Sequence, residues 1–344
     1  MCRCLELAMH GIGCVAPNPM VGAVLVYEGH IIGEGFHQAF GQPHAEVNCL
    51  NSVTTEDASL ICKSILYVSL EPCNHFGKTP PCTDVIIKNK IPHVVIGCTD
   101  SFDKVAGSGI EKLHAAGIKT TLDILHKECR EINKRFFTYH EKKRPYIFLK
   151  WAQSHDGKIA GEDGKQIKIS NAYSDKLVHK WRGEEAAILI GRQTALQDDP
   201  ALTARHWPGK NPVRIIIDPE LKIPLHAKIY NDEAQTIILN SKKSEKKGNI
   251  IFYKISSGET SIEACLRCLF EKQITSVIIE GGSKTLQNFI DIDLWDEAII
   301  ITNKFFQIEK GVTAPILRKE ILLKADDLFS DTIKFYKNAG NEFL

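Results

Sequence analysis

A chain of 344 residues is longer than one typical domain of about 100–200 residues, so two domains are expected. Hydrophobic residues make up 43% and charged residues 25%, an ordinary globular balance with core enough for both halves. Lys and Arg number 43 against 42 Asp and Glu, a formal charge of +1, which excludes the strong basic field that would hold a nucleic-acid polymer along the whole chain.

The cysteines are odd in number and scattered, several of them in apolar runs (Cys49, Cys62, Cys98), the pattern of a reduced compartment and not of a disulfide framework. Cys265-Leu266-Arg267-Cys268 has no second pair or histidine beside it, so these two read as core thiols on one helix face, with redox or metal use the alternative. No signal-like apolar run follows Met1-Cys2-Arg3-Cys4, and no stretch approaches the length of a bilayer span. The cytoplasm is the expected location, with no membrane partner.

In chain order, residues 5–10 carry a short helical pattern that stops at Gly11 and Gly13. Pro17-Asn18-Pro19 leads into a β-branched run that reads as a buried strand to residue 26; Glu28-Gly29 turns, and residues 31–37 return as a hairpin. The chemistry follows. Pro43-His44-Ala45-Glu46 stands with Leu70-Glu71-Pro72-Cys73 and, after eight intervening residues, Cys82. Zinc that does chemistry is held by three nitrogen or sulfur ligands with the fourth position left to a water, and His44, Cys73 and Cys82 supply that set. Such a metal lowers the pKa of its water from about 15.7 toward about 7. Glu46 is placed to move protons. Residues two apart do not share a face in an established helix, so His-x-Glu works best where a helix is just starting after Pro43.

A strand over residues 65–70 delivers Cys73 at its C-terminal end, the side of an open α/β sheet where ligands bind. Cys82 opens the next helix, whose N-terminus adds partial positive charge. A strand at 94–97 and a helix at 109–116 continue the alternation, which predicts a three-layer α/β/α domain. The competing reading is a folding zinc site closed by a fourth ligand, for which His75 is the candidate.

The pattern His-x-Glu…Pro-Cys resembles the zinc-dependent base deaminases, in which the glutamate is an acid/base and not a ligand. Most of those close the site with Cys-x-x-Cys. The loop Cys73-Asn-His-Phe-Gly-Lys-Thr-Pro-Pro-Cys82 resembles instead the deaminase half of the bifunctional riboflavin-biosynthesis deaminase/reductases. That resemblance implies substrate contacts at Asn18, His37 and Asp100, and makes Lys78 and Thr79 candidates for a substrate phosphate. On the residues alone Asn18 reads as a turn former, His37 as a strand end, and Lys78 and Thr79 as a solvated loop. Val105-Ala106-Gly107 fits the family loop, whereas Phe102 stands where the family usually has asparagine.

Residues 127–140 are helical and charged, and 141–145 read as a linker, which sets domains of 1–144 and 145–344. A strand over 146–152 opens the second. Leu149-Lys150-Trp151-Ala152-Gln153-Ser154-His155-Asp156-Gly157 resembles the start of the reductase half of the same family, whose α/β fold is similar to dihydrofolate reductase. Trp181-Arg182-Gly183, a strand at 187–191, Thr194, and the run from Asp198 through Leu202 to Arg205 continue the match. The resemblance implies cofactor contacts at Ala152, Thr194 and Asp198, and substrate contacts at Arg182, Leu202 and Arg205; two arginines suit a phosphate through bidentate hydrogen bonds. The plainer readings are an N-capping Asp and surface arginines.

Strands are expected at 213–218, 237–239 and 250–253, with a helix at 261–272. The run from Val277 through Glu280-Gly281-Gly282 to Leu286 then reads strand, glycine pair, helix, a turn whose exposed N–H groups bind phosphate. By resemblance Glu280 contacts substrate, and Gly282, Ser283, Lys284, Thr285, Leu286, Gln287 and Asn288 contact NADPH. Three positions depart from the family. Lys165 replaces a substrate-contacting serine, Ile167 a cofactor-contacting tryptophan, and Pro219 a cofactor-contacting serine.

The expectation is a bifunctional enzyme with one catalytic Zn2+ and NADPH, acting on small phosphorylated pyrimidines, with no nucleic-acid partner; the family implies a homo-oligomer. Glu46, Lys150 and Glu280 are its expected catalytic residues. The rivals are an active deaminase with a degenerate reductase domain, motivated by Lys165, Ile167 and Pro219, and a zinc-stabilised binding module without turnover.

Overall fold

Alternating β-branched strands and amphipathic helices form two units, Met1–Lys143 and Arg144–Leu344, in a computed structural model that describes residues 1–76, 80–101, 107–164 and 167–341. Phe102, Val105, Ala106, Lys78, Thr79 and Lys165 lie outside the described residues.

In the first unit, helix α1 (Cys2–Met9) precedes strands β1 (Gly22–Tyr27) and β2 (His30–Phe36); α2 (Ala45–Asn51), β3 (Ile65–Val68), α3 (Cys82–Lys88), β4 (His93–Ile96), α4 (Ser108–Ala115) and β5 (Lys119–Thr121) follow. The sheet order is β2-β1-β3-β4-β5, with β1 antiparallel to both neighbours and β3, β4 and β5 parallel. One sheet face buries Leu25, Leu66, Val68, Val94 and Ile96 against Ala45, Cys49, Ile86 and Leu113 of α2, α3 and α4. Val24 on the opposite face packs with Cys4 and Leu7 of α1. Helices α5 (His126–Ile132) and α6 (Lys134–Lys142) complete that layer, Ile132 packing beside Ala8, Val15 and Met20. The result is the expected three-layer α/β/α domain.

The second unit runs β6 (Tyr146–Gln153), β7 (Lys158–Gly161), α7 (Ala172–Glu184), β8 (Ala187–Gly191), α8 (Arg192–Asp198), β9 (Val213–Ile217), β10 (Thr236–Asn240), β11 (Glu245–Lys247), β12 (Ile250–Lys254), α9 (Ser261–Glu271), β13 (Ser276–Ile279), α10 (Ser283–Asp291), β14 (Glu297–Asn303), β15 (Gly311–Thr313), β16 (Glu320–Leu328) and β17 (Asp331–Asn338). Ten strands form one sheet in the order β11-β12-β10-β9-β8-β13-β6-β14-β17-β16, parallel from β12 to β14, while β15 pairs with β7 apart from it. Strands of the parallel stretch are apolar on both faces because both are covered. Leu149, Leu189, Ile215 and Ile279 face α9 and α10, while Ile188, Ile190, Ile216 and Ile278 line the other side. Cys265 and Cys268 are buried on α9, as core thiols.

Two features differ from the sequence reading. Residues 141 and 142 are the end of α6 and not a linker, and Arg144 belongs to the second unit, where Nη1 and Nη2 donate to Asp296 at 2.6 and 2.7 Å. The C-terminal strands β14 to β17 also escaped the sequence pattern; β16 is an edge strand with mostly exposed side chains, so it lacks clean alternation.

Candidate active sites

In the first unit the sheet presents its functional side chains at the C-terminal ends of its parallel strands. β3 ends at Val68 and the chain runs on to Cys73, while His44 is the N-cap of α2 and Cys82 the first residue of α3. Among the described residues these three form the one group of metal-donor side chains, and His75 is not part of it. The His44 Nδ1 lies 3.4 Å from Cys73 Sγ and 3.3 Å from Cys82 Sγ. A tetrahedral zinc with N and S ligands at about 2.05 and 2.3 Å sets an N···S edge of about 3.5 Å. The donors fit that ion. The backbone N–H of Cys82 donates to Cys73 Sγ at 3.4 Å, which favours the thiolate there.

Glu46 follows two residues after His44 on the first turn of α2 and is buried. Burial pushes its carboxyl above the usual range, and the neighbouring Cys73 adds to the rise, so it holds a proton more readily than an exposed carboxylate. His37 is also buried, which lowers its pKa and keeps the ring neutral. Its Nδ1 lies 3.1 Å from the Pro43 carbonyl and its Nε2 3.1 Å from Asn18 Nδ2. The carbonyl can only accept, so the proton is assigned to Nδ1 and Nε2 accepts from the Asn18 amide. His37 and His44 meet edge to face at 5.3 Å, so the structure brings Asn18 and His37 beside the donor group.

Sequence reading passed over Glu71. Its carboxylate accepts from the backbone N–H groups of Asp100 at 3.2 Å, Gly107 at 3.1 Å, Gly109 at 3.0 Å and Ile110 at 3.4 Å. A glutamate immediately before Pro-Cys was the available signal, but its partners lie far along the chain.

The second unit holds a cavity of about 1070 Å³ over the C-terminal ends of its parallel strands. Lys150, Arg182, Leu202, Arg205 and Glu280 line it, as do Ala152, Ile167, Thr194, Asp198 and Pro219. Gly282, Ser283, Lys284, Thr285 and Asn288 form another wall. Leu286 and Gln287 do not: Leu286 is buried in the core, and Gln287 Nε2 donates to Asp291 at 2.9 Å. Leu286 and Gln287, the fourth and fifth residues of α10, turn away from the cavity at the helix start, which a contiguous sequence match cannot register.

Glu280 is clamped. Arg182 donates to it through Nε at 2.7 Å and Nη2 at 2.8 Å, and Lys150 Nζ stands at 3.5 Å. Burial alone drives the Glu280 carboxyl up, but Arg182 and Lys150 outweigh it and hold it down at about 2. Burial lowers the Lys150 ammonium, against the opposing pull of Glu280. The pair is therefore a fixed anion beside a lysine that releases its proton more readily than usual. Burial also raises Asp198.

The opposite wall suits a dinucleotide. Thr194 Oγ1 accepts from Gly282 N–H at 2.8 Å, fixing the turn into α10. A Cβ at Gly281 would stand 3.2 Å from the Gly191 nitrogen and from Thr285, a tight fit that bare backbone avoids where the ends of β8 and β13 approach. With the start of α10 beside it, this fits a pyrophosphate. Arg192, also missed in the sequence, lines the cavity 4.0 Å from Asp218. Asp218 itself is fully buried and accepts from Ile223 N–H at 3.0 Å, so Arg192 is the charge turned toward a ligand. The Gly-Arg step at the end of a strand was its only signal.

Known proteins share both halves. Residues 1–98 match the family model for the cytidine and deoxycytidylate deaminase zinc-binding region, and residues 145–305 match that for the RibD C-terminal domain. The riboflavin biosynthesis protein RibD of Aquifex aeolicus is 43% identical over 302 residues, 86% of this chain and 83% of that protein. RibD of Actinobacillus pleuropneumoniae is 37% identical over 298 residues, 82% of this chain and 77% of its own. Among solved structures, a diaminohydroxyphosphoribosylaminopyrimidine deaminase/5-amino-6-(5-phosphoribosylamino)uracil reductase from Thermotoga maritima is 36% identical with a TM-score of 0.88, covering 98% of this chain and 97% of that one. Acinetobacter baumannii RibD is 29% identical, also with a TM-score of 0.88, over 97% and 96% of the two chains.

Proposed function

The chain belongs to the RibD family of riboflavin-biosynthesis proteins, and on that premise we propose that it catalyses two consecutive reactions on one phosphorylated pyrimidine. Residues 1–144 hydrolytically deaminate 2,5-diamino-6-(5-phosphoribosylamino)pyrimidin-4(3H)-one. Residues 145–344 reduce the ribosyl chain of the resulting 5-amino-6-(5-phosphoribosylamino)uracil to ribityl with NADPH. The observation that carries the reading is the buried Glu46 carboxyl beside the His44, Cys73 and Cys82 donor group.

His44, Cys73 and Cys82 would hold zinc, which when bound supplies Lewis acidity and lowers the pKa of the attacking water. Glu46 takes the proton from that water, passes it to the pyrimidine ring nitrogen, then takes the proton of the hydroxyl now on the ring carbon and gives it to the amine, which leaves as ammonia while the carbonyl forms. Its raised pKa suits both directions of transfer. Asn18 and the neutral His37 form a fixed polar edge for the substrate, the His37 proton being committed to Pro43. Lys78, Thr79 and Asp100 complete the substrate contacts in this reading.

In the second site NADPH, when bound, supplies the hydride that C1′ of the ribose receives. Lys150 gives the proton taken up by the ring oxygen as the sugar opens, and Glu280, held ionised by Arg182, orients that lysine. Arg182 and Arg205 face the substrate with Leu202, and Lys165 belongs to the same side by resemblance. Ala152, Ile167, Thr194, Asp198, Pro219 and the residues from Gly282 to Asn288 that face the cavity bind the cofactor. Arg192 takes the 2′-phosphate that distinguishes NADPH from NADH.

The test is to incubate the purified chain with the diaminopyrimidine ribosyl phosphate, with and without NADPH, and follow products by mass and cofactor absorbance. Deamination alone without NADPH, and reduction when it is added, is the expected result. Deamination without NADPH consumption would remove the second half of the reading.

A further inference from the structure

The Glu71 carboxylate is buried, and among the described residues four backbone N–H groups share it. Three of these, from Gly107, Gly109 and Ile110, belong to the start of α4, whose N-cap Gly107 has no side chain of its own to satisfy them. Glu71 therefore caps α4 from the loop that follows β3. Its charge also favours the positive end of that helix. The fourth N–H is that of Asp100, so the same carboxylate fixes both ends of the segment joining β4 to α4.

Glu71 is two residues before Cys73, and the contact continues through the metal-donor segment. Asn74 Nδ2 donates to the Ser108 carbonyl at 3.2 Å, Thr83 Oγ1 donates to Asn74 Oδ1 at 3.3 Å, and Thr83 N–H donates to the Cys73 carbonyl at 3.2 Å. The residues that follow Cys73 and Cys82 are thus tied to the same helix start that Glu71 caps. The approach is close enough that a Cβ on Gly109 would collide with the Pro72 carbonyl.

From this geometry we propose that Glu71 is a positioning residue of the deaminase site, locking the Asp100 backbone and the start of α4 to the Pro72-Cys73 segment. The proposal rests on the deaminase reading, and on Asp100 as a substrate contact within it. Because the carboxylate touches neither the donor atoms nor the proton path of Glu46, its loss displaces substrate and leaves the chemical step in place.

Glu71→Gln keeps the shape but turns one acceptor oxygen into a donor facing N–H groups. In the full chain, we expect the KM for deamination to rise by about tenfold to a hundredfold, the size of effect of one lost charge-assisted contact to the substrate. Bound zinc should stay at the wild-type level, kcat should fall far less than KM rises, and reduction of separately supplied aminouracil substrate should be unchanged. Gly109→Ala, whose Cβ would collide with the Pro72 carbonyl and crowd Glu71 Oε1 at 3.1 Å, disturbs the same contact from the helix side and should reproduce the same pattern. A loss of kcat in proportion to lost zinc, with KM unchanged, would overturn the proposal, as would a wild-type KM in both variants. Hydrogen exchange on the wild-type chain provides a test that needs no variant. The Gly107, Gly109 and Ile110 amides should exchange slowly, and exchange at the rate of an open loop would overturn the lock. A wild-type chain that fails to deaminate at all would instead remove the functional reading beneath it.

Discussion

The two sites are built on different length scales. The first takes all three donor atoms and the buried Glu46 carboxyl from residues 44–46 and 73–82, at the ends of one strand and two short helices. The second is a cavity whose walls range from Lys150 to Val312 and come from many elements of the sheet and its helices. A metal site needs a few donors within bonding reach, so a fault in one residue is felt in full. A large cavity spreads its binding over many contacts, and the buried Lys150, Glu280 and Arg182 cluster concentrates charge at one point of it. Single substitutions should therefore be most severe in the first site, and in the second should range from severe at that cluster to mild on the walls.

Glu46→Gln should give the largest effect. It preserves volume in a buried position but cannot carry a proton, so deamination should fall by about 10²–10⁴-fold, the usual contribution of a positioned acid/base. Zinc content by metal analysis should be unchanged, and reduction of the aminouracil substrate should proceed at the wild-type rate. Loss of zinc would mean that Glu46 is a ligand. Cys82→Ser sharpens the same point from the other side: bound metal should drop, whereas full retention would mean that another residue, His75 first among them, replaces it.

Lys150→Met should break the second site without touching the first. Reduction should fall by about 10²–10⁴-fold if the lysine is the proton donor, while Glu280 keeps its two bonds to Arg182 and the fold survives. The pH profile gives an independent check. The Lys150 pKa is lowered, so its protonated fraction falls as pH rises through that lowered value, and reduction should decline at a pH below the ordinary lysine range. Glu280, held at about 2, stays ionised throughout and adds no acid limb near neutrality. Its depressed pKa also stabilises the folded second unit above the unfolded carboxyl pKa of about 4.3. That stabilisation is lost as pH falls from there toward 2, so acid unfolding of this unit should centre in that window.

The same contrast explains what could be read in the chain. His44, Glu46, Cys73 and Cys82 were legible because metal chemistry demands particular residue types, and strand-to-helix turns bring them together over short distances. Asn18 and His37 were legible only through resemblance, since nothing in a turn asparagine or a strand-end histidine announces that their side chains bond to each other. Strands β3, β4, β8, β9, β10 and β13 were marked by apolar runs, but the short polar strands β5 and β11 and the mostly exposed edge strand Glu320–Leu328 carry no such mark. Leu286 and Gln287 show the limit of a contiguous match: one helix start offers Gly282, Ser283, Lys284, Thr285 and Asn288 to the cavity and turns the two between them away. Glu71 and Arg192 act through partners distant in sequence, and only the folded chain supplies those partners.

Arg192→Ala should cost less than the catalytic changes. The guanidinium lines the cavity with Nη1 4.0 Å from the buried Asp218 Oδ1, so removing it takes away a cation from the wall together with the ion-pair partner of that carboxylate, whose Oδ2 keeps its bond from Ile223 N–H. Affinity for 2′,5′-ADP, measured by calorimetry without turnover, should weaken by about tenfold, in line with one charge-assisted hydrogen-bond group. Affinity for 5′-AMP should hardly change. Equal weakening of both would mean that Arg192 shapes the wall and does not read the phosphate.

The smallest effect is expected at Ile167, where the family carries tryptophan. The side chain lines the cavity beside Ile169, so the position already offers apolar surface to a ligand. Ile167→Trp enlarges that surface and adds an indole N–H, but the gain is limited because an isoleucine provides much of the same burial. NADPH should bind a few-fold tighter, about 1 kcal/mol at most by apolar area alone, with deamination untouched. A large gain in reduction rate would instead show that Ile167 holds the second activity back, and would make that wall as decisive for reduction as Glu46 is for deamination.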